Sequence, residues 1–192
     1  ITSLSSIDRI TLSSHSGSDN SGETIYIDNL YTSKSAPEYE VTFSPDDDPG
    51  FALGDVAGGN SILVSGRDVP SGGDSPAALL AKSAGETFVG ASFLTLDSGE
   101  LITSSAAQVS MRVWTVDNSV TVRLRLEDVV EEDTVELSAV TGSDKAGEWQ
   151  TISWDFSGQD HSPVYNKASV FFDAVDQADP EYYFFDDVQF GG

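Results

Sequence analysis

Six residues in the second half of the chain carry side chains that can stack on a ring or form several hydrogen bonds at once. An indole stacks on flat apolar surfaces, and the planar guanidinium of arginine forms paired hydrogen bonds to hydroxyls or carboxylates. Grouped on one surface, they would make a platform for a sugar, with a preference for an anionic one of uronic-acid type. The six are Trp114, Arg112, Arg123, Arg125, Glu127 and Lys167.

Alternation of apolar and polar residues places these six on the outward faces of three predicted strands. Successive side chains of a strand point to opposite faces of the sheet, so residues of the core-facing parity should be apolar. They are Val109, Met111 and Val113 in the first strand, Val122, Leu124 and Leu126 in the second, and Ala168, Val170 and Phe172 in the third. If the three strands are neighbours in one sheet, the six polar and aromatic residues share one platform.

The same residues also have a purely structural interpretation. Arginines on neighbouring strands form cross-strand ion pairs, and the available carboxylates are Glu127, Glu136 and Asp173. Trp114 would then pack under a loop. The sequence leaves both interpretations open.

The remaining aromatic residues divide between core and loop. Trp154 shares its strand parity with apolar neighbours, which predicts a core position, and Trp149 is predicted to be buried as well. His161 and Tyr165 lie in the loop HSPVYN, where they could rim a binding site or decorate the surface.

Strand signals dominate the chain from residue 108 onward. The segments alternate, are rich in β-branched and aromatic residues, and are separated by clusters of Gly, Asn, Asp, Ser and Pro. They are QVSMRVWTV, SVTVRLRLED, DTVELSAVT, WQTISWDFS, KASVFFDAV and EYYFFDDVQF. The segment SPAALLAKSA at 75–84 is compatible with a short helix or a strand. Residues 40–190 are therefore predicted to form an all-β, two-sheet antiparallel β-sandwich with negligible helix.

The first part of the chain is similar in sequence pattern to the last. Residues 8–32 and 166–190 each read as a strand, a polar loop and a second strand ending in Asp-Asn or Asp-Asp before an aliphatic residue. We therefore expect residues 1–35 to be the closing hairpin of a preceding, related module or an N-terminal extension, with SKSAPE as a linker, and residues 36–192 to form the sandwich. Two unrelated hairpins of similar composition would read the same way.

The chain resembles a known family of binding modules over about 150 residues, which is enough for one sandwich domain. The strings that carry the resemblance are VTFSPDDDPGF, SMRVWT, VRLRLED, GEWQTISWDF, YNKASVFFD and YYFFDDV, in that order. They are similar to the β-jelly-roll carbohydrate-binding modules appended, often in tandem, to bacterial polysaccharide-degrading enzymes. The resemblance implies a jelly-roll fold, glycan binding on a concave sheet or at loop tips, and a structural calcium between the first and last strands.

The resemblance also names residues for the calcium. Asp186 is the first candidate ligand by its place in the family motif, and the loss of alternation at Asp186 and Asp187 predicts a β-bulge that can turn a carboxylate outward. Glu40 and Asp46, from the opening strand and the acidic run after it, supply further oxygens of the kind that calcium prefers. Ser44 stands where the family commonly has Glu, which removes one expected ligand.

Composition limits the possible partners. The chain has 32 acidic and 9 basic residues and a formal net charge of -23, which would repel nucleic acid and anionic membranes. It has no cysteine, so it can have neither a disulfide nor a thiolate nucleophile. No apolar run reaches the roughly 18 residues of a membrane span. We expect a secreted or cell-surface monomer within a larger multidomain chain, with Ile1 as a cut inside that chain.

These observations favour non-catalytic binding of a polysaccharide, which would target an attached extracellular enzyme or surface protein to its substrate. The G-x-S-x-G, HExxH and phosphate-binding glycine motifs are absent from the sequence. Two other classes stay open: a structural or adhesive surface repeat, and a jelly-roll polysaccharide lyase with His161 or Tyr165 as its proton-transfer group.

Overall fold

A computed structural model of the chain describes residues 39–41, 43, 51–74 and 76–191. The chain divides into two units, Ile1–Lys34 and Ser35–Gly192, and the described residues all belong to the second. The expected hairpin at 1–35, together with Ser44 and Asp46, lies outside the described residues.

The described part of the chain consists almost entirely of strands joined by turns. A single short 3-10 turn at Gly66–Asp68 is the one described helical element. The strands are Tyr39–Val41 (β1), Phe51–Ala57 (β2), Gly59–Val64 (β3), Ala77–Lys82 (β4), Phe88–Thr95 (β5), Gln108–Thr115 (β6), Thr121–Glu127 (β7), Thr134–Val140 (β8), Trp149–Asp155 (β9), Lys167–Asp173 (β10) and Glu181–Phe190 (β11).

The strands form two antiparallel sheets. The first sheet has the order β3-β4-β11-β6-β9, with β1 also paired to β11, and the second has the order β2-β5-β10-β7-β8. The predicted antiparallel sandwich is confirmed, and β6 to β11 fall on the six segments whose alternation predicted them. The segment at 75–84, open between helix and strand, is strand β4.

The core lies between the two sheets, where the apolar parity of each strand meets that of the opposite sheet. Phe93 of the second sheet contacts Phe185 of the first, with ring centres 5.5 Å apart, and Phe43 contacts Phe185 at 5.3 Å. Trp154 is buried in this core, as its parity predicts. Tyr165 is buried there as well, so it takes neither of the two loop positions that the sequence left open, the rim of a site or the surface. Burial is also the main reason that the pKa of Tyr165 is raised.

Strands β2 and β3 were not among the predicted strands, because glycines interrupt their pattern. They follow one another in sequence, yet β2 belongs to the second sheet and β3 to the first. The chain crosses between the sheets at Gly58 and Gly59. A Cβ atom there would lie 1.7 Å from the carbonyl oxygen of Phe88 or 1.9 Å from that of Ala81, which only glycine avoids.

The last strand contains the predicted bulge. Asp186 pairs with Arg112 and Gln189 pairs with Ser110, so β11 uses one more residue than β6 over this stretch. Asp187 adopts a positive φ of 48° at the bulge. The parity of β11 therefore changes there, and Val188 and Phe190 return to the core.

Candidate functional site

The six predicted platform residues lie in two different sheets. Arg112 and Trp114 are on β6 of the first sheet, whereas the other four are on β7 and β10 of the second. Outward faces of two packed sheets point in opposite directions, so the prediction of one shared platform is wrong. Alternation assigns each residue to a face, but it does not say which sheet a strand joins.

The four residues on the second sheet belong to a network of ion pairs, which we call the charged face. Three cations and three anions form it: Arg123, Arg125, Lys167, Glu127, Glu136 and Asp173. Arg123 contacts Asp173 at 2.8 Å and Glu136 at 3.1 Å. Arg125 contacts Glu136 at 2.9 Å, and Lys167 contacts Glu127 at 3.0 Å. The cross-strand pairing that the sequence left as an alternative is therefore what the structure contains.

The formal charges of the charged face cancel. Burial would lower the pKa of Arg123, but its hydrogen bonds to Asp173 and Glu136 outweigh burial and raise it. The side chains are still partly exposed, with 22% of Arg123 and 37% of Arg125 accessible. They can therefore form further hydrogen bonds to a ligand while they remain paired.

A phenylalanine lies beneath the two arginines. The guanidinium carbons of Arg123 and Arg125 are 5.1 and 4.7 Å from the centre of the Phe171 ring, within the range of cation–π contacts. Phe171 is buried without being part of the core between the sheets. Its ring occupies the space above Gly90, where a Cβ atom would come within 2.2 Å of it. The neighbouring Phe88 is only partly buried and also contacts Arg123, at 5.3 Å.

Small residues form a strip across three strands of the same face. Gly54 of β2 pairs with Ser92 of β5, which pairs with Ser169 of β10, and the row continues into Arg125 and Glu136. The neighbouring rows carry larger side chains, Phe171 on one side and Lys167 on the other. The charged face thus has a low strip bordered by an aromatic ring and by paired ionic groups.

On the first sheet, Trp114 belongs to an apolar row that crosses the outer face. The row consists of Ile62, Leu79, Phe184, Trp114 and Trp149, each paired with the next. Trp114 meets Phe184 edge to face at 5.4 Å and is partly exposed. Trp149, predicted to be buried, is partly buried on this outer face rather than in the core.

A loop covers Trp149. Its Nε1 donates a hydrogen bond to the carbonyl oxygen of Pro70 at 3.0 Å, and a Cβ atom at Gly73 would lie 2.3 Å from its ring. Arg112 lies 5.3 Å from the centre of the same ring and is paired with Asp74 at 2.9 Å. Arg112 therefore anchors this loop to the sheet.

Of the two predicted calcium ligands that the structure describes, Asp186 is buried and Glu40 is exposed. Asp186 is 1% exposed; its Oδ2 accepts a hydrogen bond from the backbone N–H of Asp74 at 2.6 Å, whereas its Oδ1 has no hydrogen-bond partner among the described residues. The Nε of Arg112 is 3.8 Å from that oxygen. Burial raises the pKa of Asp186 to about 6, against the lowering effects of the Asp74 N–H and of Arg112.

The described residues supply part of a calcium site. The unpartnered oxygen of Asp186 is the kind of ligand that calcium binds, but the guanidinium of Arg112 faces the same oxygen. Glu40 is exposed and pairs with Gln189, beyond the bulge. Within the described ranges no three His, Asp or Glu side chains come together as a metal site. The calcium stays a prediction.

A groove that the sequence did not predict lies on the first sheet. Its volume is about 440 Å³, and its polar lining comes from four strands: Glu40, Gln108, Ser110, Ser153 and Gln189, with Tyr39 beside them. Polar residues on outward strand positions are common, so nothing in the sequence singles these out. Only the strand order brings them together.

Among the described residues, no helix is long and apolar enough to cross a membrane.

Comparison with known proteins identifies the fold. No protein-family model and no curated protein matches the sequence. Among solved structures, a family 29 carbohydrate-binding module is 13% identical, with a TM-score of 0.50 over 81% of this chain and 90% of that chain. A family 28 carbohydrate-binding module specific for non-crystalline cellulose is 12% identical, with a TM-score of 0.50 over 69% and 80%. An exo-β-agarase is 11% identical, with a TM-score of 0.54 over 78% of this chain and 24% of the enzyme. This chain shares the jelly-roll β-sandwich fold of such modules.

Proposed function

We propose that this chain is a non-catalytic carbohydrate-binding module whose charged face binds a neutral polysaccharide. The observation that carries the proposal is the arrangement of Arg123 and Arg125, held by carboxylates above Phe171 beside the strip at Ser92 and Ser169. The fold shared with carbohydrate-binding modules supports it.

The charge balance favours a neutral ligand over the anionic one expected from the sequence. Each cation of the charged face is already within 3.1 Å of a carboxylate. A uronate would have to compete with Glu136 and Asp173 for the guanidinium groups. It would also approach a protein whose formal net charge is -23. A neutral sugar avoids both penalties.

Sugar hydroxyls suit a surface of paired ions. A hydroxyl both donates and accepts, so it can bridge a guanidinium N–H and a carboxylate oxygen without separating them. The partly exposed ring of Phe88 offers an apolar surface for a pyranose. Gly54 and Ser92 of the low strip are partly exposed, whereas Ser169 is 1% exposed, so the open part of the strip lies on β2 and β5.

The module would act by holding a larger protein on its substrate. A tethered module raises the local concentration of a linked enzyme at the polysaccharide without taking part in catalysis. We extend the proposal to an extracellular or cell-surface location and to a structural calcium at Asp186. The fold, together with the unpartnered Asp186 oxygen, is what supports these extensions.

Calorimetric titration of the full chain tests the proposal. Cellohexaose and agarohexaose serve as neutral probes and an oligogalacturonate as the anionic one. We expect binding to a neutral probe, and we expect Arg125→Ala and Phe88→Ala each to weaken it at least about tenfold, as loss of a central contact does. Lys145→Ala is the control, because Lys145 forms an exposed ion pair with Glu148. Binding that survives both substitutions unchanged would rule out the charged face, and binding of the oligogalacturonate alone would refute the neutral ligand.

A further inference from the structure

The groove on the first sheet has a lining unlike that of the charged face. Gln189 of β11, Ser110 of β6 and Ser153 of β9 stand directly opposite one another, and Glu40 of β1 extends the row. Gln108 lies one outward position further along β6. Gln108, Ser153 and Gln189 are exposed, so the row is open to solvent.

A carboxylate lies beside each of the two amide groups of this groove. The Nε2 of Gln189 donates to the Oδ1 of Asp187 at 3.2 Å. Asp155 stands directly opposite Gln108, and its pKa is lowered first by its hydrogen bonds to Ser157 and also by the Gln108 side chain. The Gln189 amide is thereby held in place, and both amides keep unused hydrogen-bonding capacity.

The lining restricts the class of ligand. Among the described residues, those that line the groove supply two amides, two serine hydroxyls and one carboxylate from their outward side chains and include no cation. Such a set cannot neutralise an anion, but it can donate to and accept from hydroxyls. The volume of about 440 Å³ lies within the range of small-ligand sites.

We propose that this groove is a second carbohydrate site, which binds hydroxyls of a neutral sugar through Gln108, Ser110, Ser153 and Gln189. It lies on the first sheet, on the opposite side of the sandwich from the charged face. The two sites therefore do not compete for one sugar residue. A module with both would contact two glycan chains, or two segments of one chain.

Side-chain amide signals provide a direct test. In ¹⁵N–¹H correlation spectra of the full chain, the amide groups of Gln108 and Gln189 should shift on titration with cellohexaose or agarohexaose. The amide of Gln177, in an exposed loop, is the internal control. Absence of any shift at Gln108 and Gln189 with both neutral oligosaccharides would overturn the proposal.

Substitutions separate this site from the charged face. The double variant Gln108→Ala, Gln189→Ala should weaken binding at the groove at least about tenfold, because it removes both amides that would contact the sugar. The fold should be unaffected, because both side chains are exposed. Gln177→Ala is the matched control and should bind as the parent does. Ser153→Trp, which fills the groove, should abolish the shifts at Gln108 and Gln189.

The two proposals fail independently. Arg125→Ala should leave the shifts at Gln108 and Gln189 unchanged, because Arg125 lies in the other sheet. If the groove variants bind as the parent does, the second site is refuted while the charged face stands. If Arg125→Ala leaves all binding intact and the groove variants lose it, the proposed function must move to the first sheet.

Discussion

The guanidinium of Arg125 lies 4.7 Å from the centre of the Phe171 ring, and that ring fills the space a Cβ atom would need at Gly90. Backbone, ring and guanidinium are thus stacked on the outer face of three adjacent strands, β5, β10 and β7. The stack holds the arginines at a fixed height above the sheet.

Replacing Gly90 by alanine should disturb this stack. The new Cβ would approach within 2.2 Å of the Phe171 ring, so we expect a loss of about 1–3 kcal/mol in the free energy of unfolding. Neutral-glycan binding should weaken as well, because the displaced ring moves both arginines. Urea denaturation and calorimetric titration measure the two effects. Gly158→Ala, where no atom of the described residues lies within 4 Å of the added Cβ, is the control. Equal stability of the two variants would show that the ring has room to move.

Glycan binding should be nearly independent of salt. The charged face carries three cations and three anions, so screening removes no net attraction for a neutral ligand. We expect the dissociation constant for a bound neutral oligosaccharide to change less than about twofold between low and high sodium chloride. A tenfold loss of affinity at high salt would indicate an anionic ligand and contradict the charge argument.

Removing the buried cation Lys82 should destabilise the fold strongly. Its Nζ donates to the carbonyl oxygen of Asp179 at 2.7 Å and lies 3.9 Å from Glu181, with its side chain fully buried. Lys82→Ala would leave Glu181 buried without its cation, and the expected loss is about 3–5 kcal/mol. Lys145→Ala removes an exposed ion pair and should cost less than about 1 kcal/mol. Comparable losses in chemical denaturation would contradict a structural role for Lys82.

Asp186 should make the protein less stable as the pH rises. Its pKa is about 6 in the folded protein against an ordinary value of 3.8, so the folded state binds the proton more tightly than the unfolded state does. Asp186 therefore contributes to the free energy of unfolding at acidic pH. This contribution, about 3 kcal/mol for a shift of this size, is lost as the pH rises from about 4 to 6. Asp186→Asn cannot titrate and keeps an oxygen for the Asp74 N–H.

The comparison isolates this one carboxylate. We expect the stability of the parent relative to Asp186→Asn, measured by urea denaturation in EDTA, to fall between pH 4 and 6. Asp128 and Asp160 have the opposite effect on stability, because hydrogen bonds lower their pKa values. Both are present in the parent and in the variant, so their effect cancels when the two stabilities are subtracted. A difference that does not depend on pH would mean that folding leaves the pKa of Asp186 at its ordinary value.

Calcium should raise the melting temperature if the predicted site exists. An ion that binds only the folded state stabilises it by mass action. We expect EDTA to lower the melting temperature of the parent and to leave Asp186→Ala unchanged. The same melting temperature for the parent with calcium and with EDTA would remove the calcium from the description of this protein.

The sequence predicted the parts of the fold that depend on neighbouring residues along the chain. Alternation identified strands β6 to β11 and placed Val109, Val122 and Val170 toward the core. The break in alternation at Asp186 predicted the bulge, because an added residue reverses the facing of all that follow it. Strands β2 and β3 were missed, since their glycines serve the crossing between sheets rather than the pattern of a strand.

What only the tertiary structure decided is which outward faces belong together. Arg112 and Arg123 both occupy outward positions on their strands and carry the same side chain. They nevertheless lie in different sheets, because β6 pairs with β9 and β11 while β7 pairs with β8 and β10. The order of strands in a sheet depends on contacts between residues far apart in the chain, which no local pattern encodes. The same reason explains the groove at Gln108, Ser153 and Gln189, whose residues become neighbours only when β6, β9 and β11 pair.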